Sequence, residues 1–127
     1  MASWSAADLR TLASSDELLV APLRADGVTY RAPTPVWFAI VDGALYVRSA
    51  RGPAALWYKA ARAQQAGRIV SGSATFEVTF APVAGPINSA IDAAYLKRYE
   101  RSPYLSSVVG VDSYAVTIAI APLSVAG

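Results

Sequence analysis

The sequence predicts a single, mainly β domain: an antiparallel barrel with two or three helices. Three observations carry that expectation. The first is an Asp42-Gly43 pair between two β-rich runs, Pro35–Val41 and Ala44–Ser49, a hairpin signal because both turn positions need positive φ. The second is the clean alternation of Ala74, Phe76, Val78 and Phe80 with Thr75, Glu77 and Thr79, the mark of a half-buried antiparallel strand. The third is the count. Six or seven strand candidates joined by tight turns must dispose of their edges, and closing the sheet does so economically.

The elements follow in chain order. Residues 5–13 read as a short helix in a lead-in spanning 1–16, with Ser5 as cap and Asp8 as its capping-box partner. Glu17 to Leu23 is a strand candidate, Ala25-Asp26-Gly27 a turn and Val28–Arg31 a second strand. Pro33 and Pro35 flank Thr34 and suit a strand start or an edge. A two-residue hairpin loop then sets the register of the main hairpin. Val41 faces Ala44, Ile40 Leu45, Ala39 Tyr46, Phe38 Val47, Trp37 Arg48 and Val36 Ser49. Side chains alternate between faces. Val36, Phe38, Ile40, Leu45 and Val47 therefore form an apolar wall, and Trp37, Ala39, Tyr46 and Arg48 an aromatic face with one charge.

Beyond the hairpin, Gly52 can cap a helix that starts with Pro53 and runs to about Ala66, with Gly67 ending it. Arg68–Ser71 and Ala74–Phe80 are strands around a Gly72-Ser73 turn. A helix capped by Asn88 or Ser89 runs to about Arg101, with Ile91, Ala94, Tyr95 and Tyr99 on one side. Tyr104 reads as a packing residue. Asp112–Ile120 closes the chain as a strand with Tyr114, Val116, Ile118 and Ile120 on one face.

Composition narrows function. The chain has 127 residues, an apolar fraction of 54% and a net charge of +2, which fits one domain with a substantial core. Cysteine and histidine are both absent. Thiol nucleophiles, thiolate metal sites and His-dependent triads are thereby excluded. The nine carboxylates are scattered, so no paired acid–base site can be read. If the chain is an enzyme, a cofactor supplies the reactivity. Charge is uneven: Arg31 to Arg68 carries a local balance of +5 against −3 for the rest. That small basic footprint suits a small anionic ligand and argues against a nucleic-acid partner. No signal peptide or membrane span is read, so the expected location is cytoplasmic.

The basic corner is the candidate site. Arg48 and Arg51 lie beside the start of the predicted helix, where free backbone N–H groups and the dipole favour an anion. Two blander readings stand beside this one. Trp37 and Arg48 can form a surface cation–π pair worth ~0.5–1 kcal/mol, and Lys59 and Arg62 can be a solvated helix face.

This pattern resembles the FMN-binding split-barrel superfamily, which includes pyridoxamine-phosphate-oxidase-like flavoproteins and deazaflavin-dependent nitroreductases. The resemblance runs from Glu17 to Leu123. It rests on Thr34-Pro35-Val36-Trp37-Phe38, Asp42-Gly43, Leu45-Tyr46-Val47-Arg48-Ser49 and a basic turn leading to a helix with Trp57-Tyr58. Within the superfamily the chain is most similar to a bacterial family of short proteins of unknown function. The resemblance implies an antiparallel split β-barrel of the FMN-binding type and a homodimer with FMN or a deazaflavin at the subunit interface. It implies that Pro35, Val36 and Trp37 border the ring, that Arg48, Ser49, Arg51 and Gly52 meet the phosphate, and that Lys59 adds a contact. It also implies hydride transfer to a small organic substrate; the alternative is a non-catalytic dimer that binds a small anionic or aromatic ligand. The Ser-Ala-Arg-Gly-Pro turn departs from the oxidase pattern, which has an Arg-Lys pair there, and looks more like the deazaflavin branch.

Overall fold

A computed structural model describes residues 3–15, 18–103 and 105–123. Glu17, at the start of the first expected strand, Tyr104 and the chain beyond Leu123 lie outside the described residues.

The element order is α1 (Ala6–Ala13), β1 (Leu18–Pro22), β2 (Thr34–Val36), β3 (Phe38–Val41), β4 (Ala44–Arg48), α2 (Leu56–Gln64), β5 (Ala66–Ser71), β6 (Ala74–Pro82), α3 (Ile87–Arg98), α4 (Val111–Tyr114) and β7 (Thr117–Pro122). Single 3-10 turns occupy Gly52–Ala54 and Leu105–Ser107. The seven strands form one antiparallel sheet in the order β2-β1-β5-β6-β7-β4-β3. Its two outermost strands, β2 and β3, are separated in sequence by Trp37 alone. One bent stretch of chain thus supplies both ends of the sheet and brings it round into a nearly closed barrel.

The Asp42-Gly43 hairpin forms as read. Asp42 has φ 50° and Gly43 φ 80°, and the pairs Phe38↔Val47, Ala39↔Tyr46, Ile40↔Leu45 and Val41↔Ala44 are those the turn dictates. The first strand differs from expectation because it breaks at Trp37. Thr34–Val36 turns away and pairs with β1, so the expected pairs Trp37–Arg48 and Val36–Ser49 do not form. The break exposes two backbone groups that an unbroken ladder would use. Tyr95 of α3 and Tyr99 just after it take them up: Tyr95 Oη donates to the Trp37 carbonyl at 3.1 Å, and the Phe38 N–H donates to Tyr99 Oη at 3.2 Å. Buried backbone groups need such partners.

The two faces of the hairpin enter separate cores. Val36, Phe38, Leu45 and Val47 point inward with Leu18, Val20, Ile69, Val78, Phe80, Ile118 and Ile120. Trp4, Leu12, Trp57, Tyr58 and Ala61 extend that core from the helices. Trp4 fixes the lead-in by donating its indole N–H to the Ile120 carbonyl at 2.8 Å, and Ser5 caps α1 by accepting from the Asp8 N–H. The opposite, aromatic face is covered by α3. Ala39, Ile91, Tyr95, Tyr99 and Val108 form a second core, with Trp37, Val41 and Tyr46 packed on it.

Four expected elements are corrected. Val28–Arg31 is not a strand; one bridge, Leu23↔Tyr30, remains. The Asp26 carboxylate accepts from the Val28 and Thr29 N–H groups and the Thr29 hydroxyl, closing a local turn that outcompetes a ladder. Those bonds, the Thr29 hydroxyl foremost, lower the Asp26 pKa to about 2. The helix after the hairpin starts at Leu56, because Gly52–Ala54 forms a 3-10 turn with Gly52 at φ 74°. Tyr114 is helical, in α4, and not part of the last strand. Asn88 and Ser89 both lie inside α3, which follows Pro86, and neither caps it.

Gly67 does not end α2 either; Gln65 does, in the left-handed conformation. Gly67 is a buried β5 residue packed against β1. A Cβ there would lie 2.5 Å from the Ala21 carbonyl oxygen and 2.6 Å from Pro22 Cα. Both obstacles are backbone, so β1 and β5 would have to part. Gly67→Ala should cost roughly 1–3 kcal/mol, seen as a lower urea midpoint; an unchanged midpoint would show that the strands yield freely.

Candidate functional site

The bend at Trp37, the turn after β4 and the start of α2 enclose a cleft of about 710 Å³. Thr34, Pro35, Val36 and Trp37 form one wall, Ala55, Leu56 and Trp57 another, and Ser107 and Val108 close it from the long loop after α3. Ala50 and Arg51 sit at the corner between them. Among the described residues no acid lines the cleft.

Each wall is fixed by packing. The Trp37 ring stacks on Tyr99 at 4.3 Å with planes 7° apart, and its carbonyl is held by Tyr95. Burial pushes the Tyr95 phenol pKa up, and Tyr99 adds to the effect, so this clamp stays neutral. Trp57 is buried and meets Tyr58 edge to face at 6.0 Å. Tyr58 donates to the Ala115 carbonyl at 3.0 Å and accepts from Arg62 at 2.8 Å. Stacked and edge-to-face pairs of this kind add rigidity beyond simple burial.

The two arginines of the corner have opposite fates. Arg48 is fully buried, and its guanidinium is spent inside the protein. Nε donates to Thr117 Oγ1 at 2.9 Å. Nη1 donates to the Val108 carbonyl at 2.8 Å and to Asp92 Oδ1. Nη2 donates to the Asn88 carbonyl at 3.1 Å and to Asn88 Oδ1 at 3.0 Å. Guanidinium carries five N–H donors, and all of them are engaged. Asp92 also accepts from Tyr114 Oη at 2.9 Å and from the Gly110 N–H at 3.2 Å. Burial raises its pKa, but these hydrogen bonds together hold the carboxyl below its ordinary value. Arg48 borders the cleft, yet it has no donor left for a phosphate. Nor does it pair with Trp37; its guanidinium lies 5.7 Å from the Tyr95 ring and 5.2 Å from that of Tyr114.

Arg51 is exposed and makes no hydrogen bond or ion pair among the described residues. Ser49 and Gly52 build the turn that presents it. The Gly52 N–H donates to the Ser49 carbonyl at 3.1 Å, and the Ser49 hydroxyl donates back to the Gly52 carbonyl at 2.6 Å. Those two residues line an adjacent hollow of about 240 Å³ with Ser106, Gly110 and Asp112, not the cleft itself. Lys59 is exposed on α2 and lines neither space. Of the eight residues read from the sequence, the structure therefore gathers Pro35, Val36, Trp37 and Arg51. It makes Arg48 a buried support, gives Ser49 and Gly52 to the turn, and leaves Lys59 outside. Among the lining residues not expected there, Trp57 carried a signal, a bulky aromatic directly after the basic turn. Ser107 and Val108 carried none.

Over residues 8–120 the chain matches the family described as "Uncharacterized protein conserved in bacteria (DUF2255)". It belongs to that family. No curated protein matches it. Its fold is shared with two solved structures. The "Putative Pyridoxamine 5'-phosphate oxidase" from Listeria innocua superposes with a TM-score of 0.64 at 16% identity, covering 93% of this chain and 92% of that one. The conserved hypothetical protein Rv2991 from Mycobacterium tuberculosis gives a TM-score of 0.64 at 16% identity, covering 99% and 94%. The fold shared with these two structures is a mainly β split barrel, as the hairpin and helix order implied. Among the described residues no helix is long and apolar enough to cross a membrane.

Proposed function

We propose that the cleft holds the ring of FMN or a deazaflavin, with the anionic end at Arg51, and that the protein is a split-barrel oxidoreductase acting on a small organic substrate. One observation carries this reading: Arg51, a cation with no ion pair among the described residues, stands at the corner of a cleft whose walls are Trp37 and Trp57 and which no described acid lines. Those walls suit a flat aromatic ring. The cation and the N-terminal end of α2, where Leu56 and Trp57 line the cleft, suit a phosphate. When bound, the cofactor supplies the hydride chemistry. The chain supplies the rest. Pro35, Val36 and Trp37 border the ring, Tyr95 and Tyr99 hold that wall in place, and Arg51 anchors the charge.

A homodimer is part of the proposal. Leu56 is 67% exposed at the cleft, and Pro35 is exposed beside it. A second copy would cover both and shield the ring from water.

Absorption titration tests the reading. FMN or a deazaflavin should give a spectral shift that saturates at about one equivalent per chain, as a single ring site requires. A second reading, a non-catalytic binder, has its own support: among the described residues the cleft is lined by no carboxylate that could move a proton. No shift with either cofactor, alongside a raised melting temperature with a phosphorylated aromatic, would decide for the binder.

A further inference from the structure

We propose a second ligand site, for a small amphipathic anion, between α1, β3 and α3. This cavity, of about 580 Å³, shares no residue with the Trp37–Trp57 cleft. Leu9, Ile40 and Ala94 contribute its apolar floor, and Arg10, Lys97 and Arg98 bring three cations to it. Among the described residues not one carboxylate lines it.

Among the described residues no carboxylate pairs with these charges. Arg10 and Lys97 are exposed and make no ion pair among the described residues. Arg98 is partly buried against the Phe38 ring, its guanidinium 4.2 Å from the ring centre. Its partners are neutral: Nη2 donates to the carbonyls of Ala13 and Ser15, while Nε is buried without a hydrogen-bond partner. Three like charges around an apolar floor repel one another, and an anion that enters relieves the repulsion. The floor requires that the anion carry an apolar body, since a bare ion would leave that surface wet. The ligand class is therefore a carboxylate or phosphate monoester with a short hydrocarbon tail. The cations bind the head and the floor buries the tail.

Calorimetric titration of the full chain tests this at about 0.01 M ionic strength, where surface charge is least screened. Octanoate and monooctyl phosphate are the probes; octan-1-ol keeps the tail without the charge, and acetate keeps the charge without the tail. At least one probe should bind roughly tenfold or more tightly than octan-1-ol and acetate, the factor expected for one charge-assisted contact, and the tighter of the two identifies the head group. Arg10→Glu/Lys97→Glu, at two exposed positions that leave the core untouched, should remove that advantage, and Lys97→Gln alone should reduce it. Arg51→Ala should leave it unchanged. The site is overturned if neither probe binds, if octan-1-ol binds equally well, or if the charge-reversed variant binds as the parent does. Loss of binding in Arg51→Ala would also overturn it, by placing the probe in the other cleft.

Discussion

Arg48→Met should remove about 3–5 kcal/mol of folding stability, the usual cost of deleting one partner of a buried ion pair. The reason is the number of groups left behind. The Asp92 carboxylate would keep only Tyr114 and the Gly110 N–H. The Asn88 side-chain oxygen would keep only Thr117, and the carbonyls of Asn88 and Val108 would lose their side-chain donor. Domains of this size hold about 5–15 kcal/mol in total, so the variant should be largely unfolded at a urea concentration the parent withstands. Arg48→Lys should recover only part of the loss, because an ammonium cannot reproduce the planar fork. Acid should act on the same network. The Asp92 pKa is depressed in the fold, so its contribution is fully present above the unfolded value, about 3.9. It disappears as pH falls from there through the folded value. Asp92→Asn should lack that acid limb. A midpoint shift below about 1 kcal/mol for Arg48→Met, combined with weaker cofactor binding, would instead make Arg48 a ligand.

Arg48 also shows where sequence reading stops. From the chain alone it stands at the open end of a strand beside a basic turn, and a phosphate contact is a fair expectation. Its actual partners lie 40, 44, 60 and 69 residues away. No local pattern brings those together; the barrel does. The Asp42-Gly43 register, by contrast, was legible because two φ angles and the pleat decide it without help from distant residues.

The break at Trp37 belongs between these cases. Pro35 to Val41 reads as one continuous strand, and its alternation is correct: Val36 and Phe38 are buried inside the barrel and Trp37 lies on the other face. What alternation cannot show is that the chain changes partners midway. The change is stable because Tyr95 donates to the orphaned Trp37 carbonyl and Tyr99 accepts from the orphaned Phe38 N–H, and those tyrosines are 58 and 61 residues downstream. They had been legible as helix packing residues, which they are. Similarly, the β propensity of Val28-Thr29-Tyr30 was real but lost to three bonds made by one aspartate. Half of the site was readable for a simple reason. Pro35, Val36, Trp37 and Arg51 sit on the hairpin and its turn, close in sequence to the features that announce the fold. Ser107 and Val108 arrive from an irregular loop.

Arg51→Glu should leave the fold intact and weaken binding of an anionic flavin or deazaflavin by roughly 10- to 100-fold. That corresponds to losing one charge-assisted contact of about 1.5–3 kcal/mol. Because Arg51 is exposed and holds no partner among the described residues, its replacement should change stability by no more than about 0.5 kcal/mol. Parent affinity should fall with added salt, since an exposed contact is screened, and the variant should lose most of that dependence. Fluorescence titration at two ionic strengths would show both. If affinity and salt dependence match the parent, Arg51 does not meet the anion, and the cleft is a ring site whose charge is held by backbone amides alone. Arg48 and Arg51 thus give opposite expectations from nearby positions in one basic turn. The buried one should report on stability and be silent in a salt titration. The exposed one should report on binding and be silent in a urea melt. Exchanging either pair of outcomes would reassign the corner, because a guanidinium whose five donors are filled by the protein has none left for a ligand.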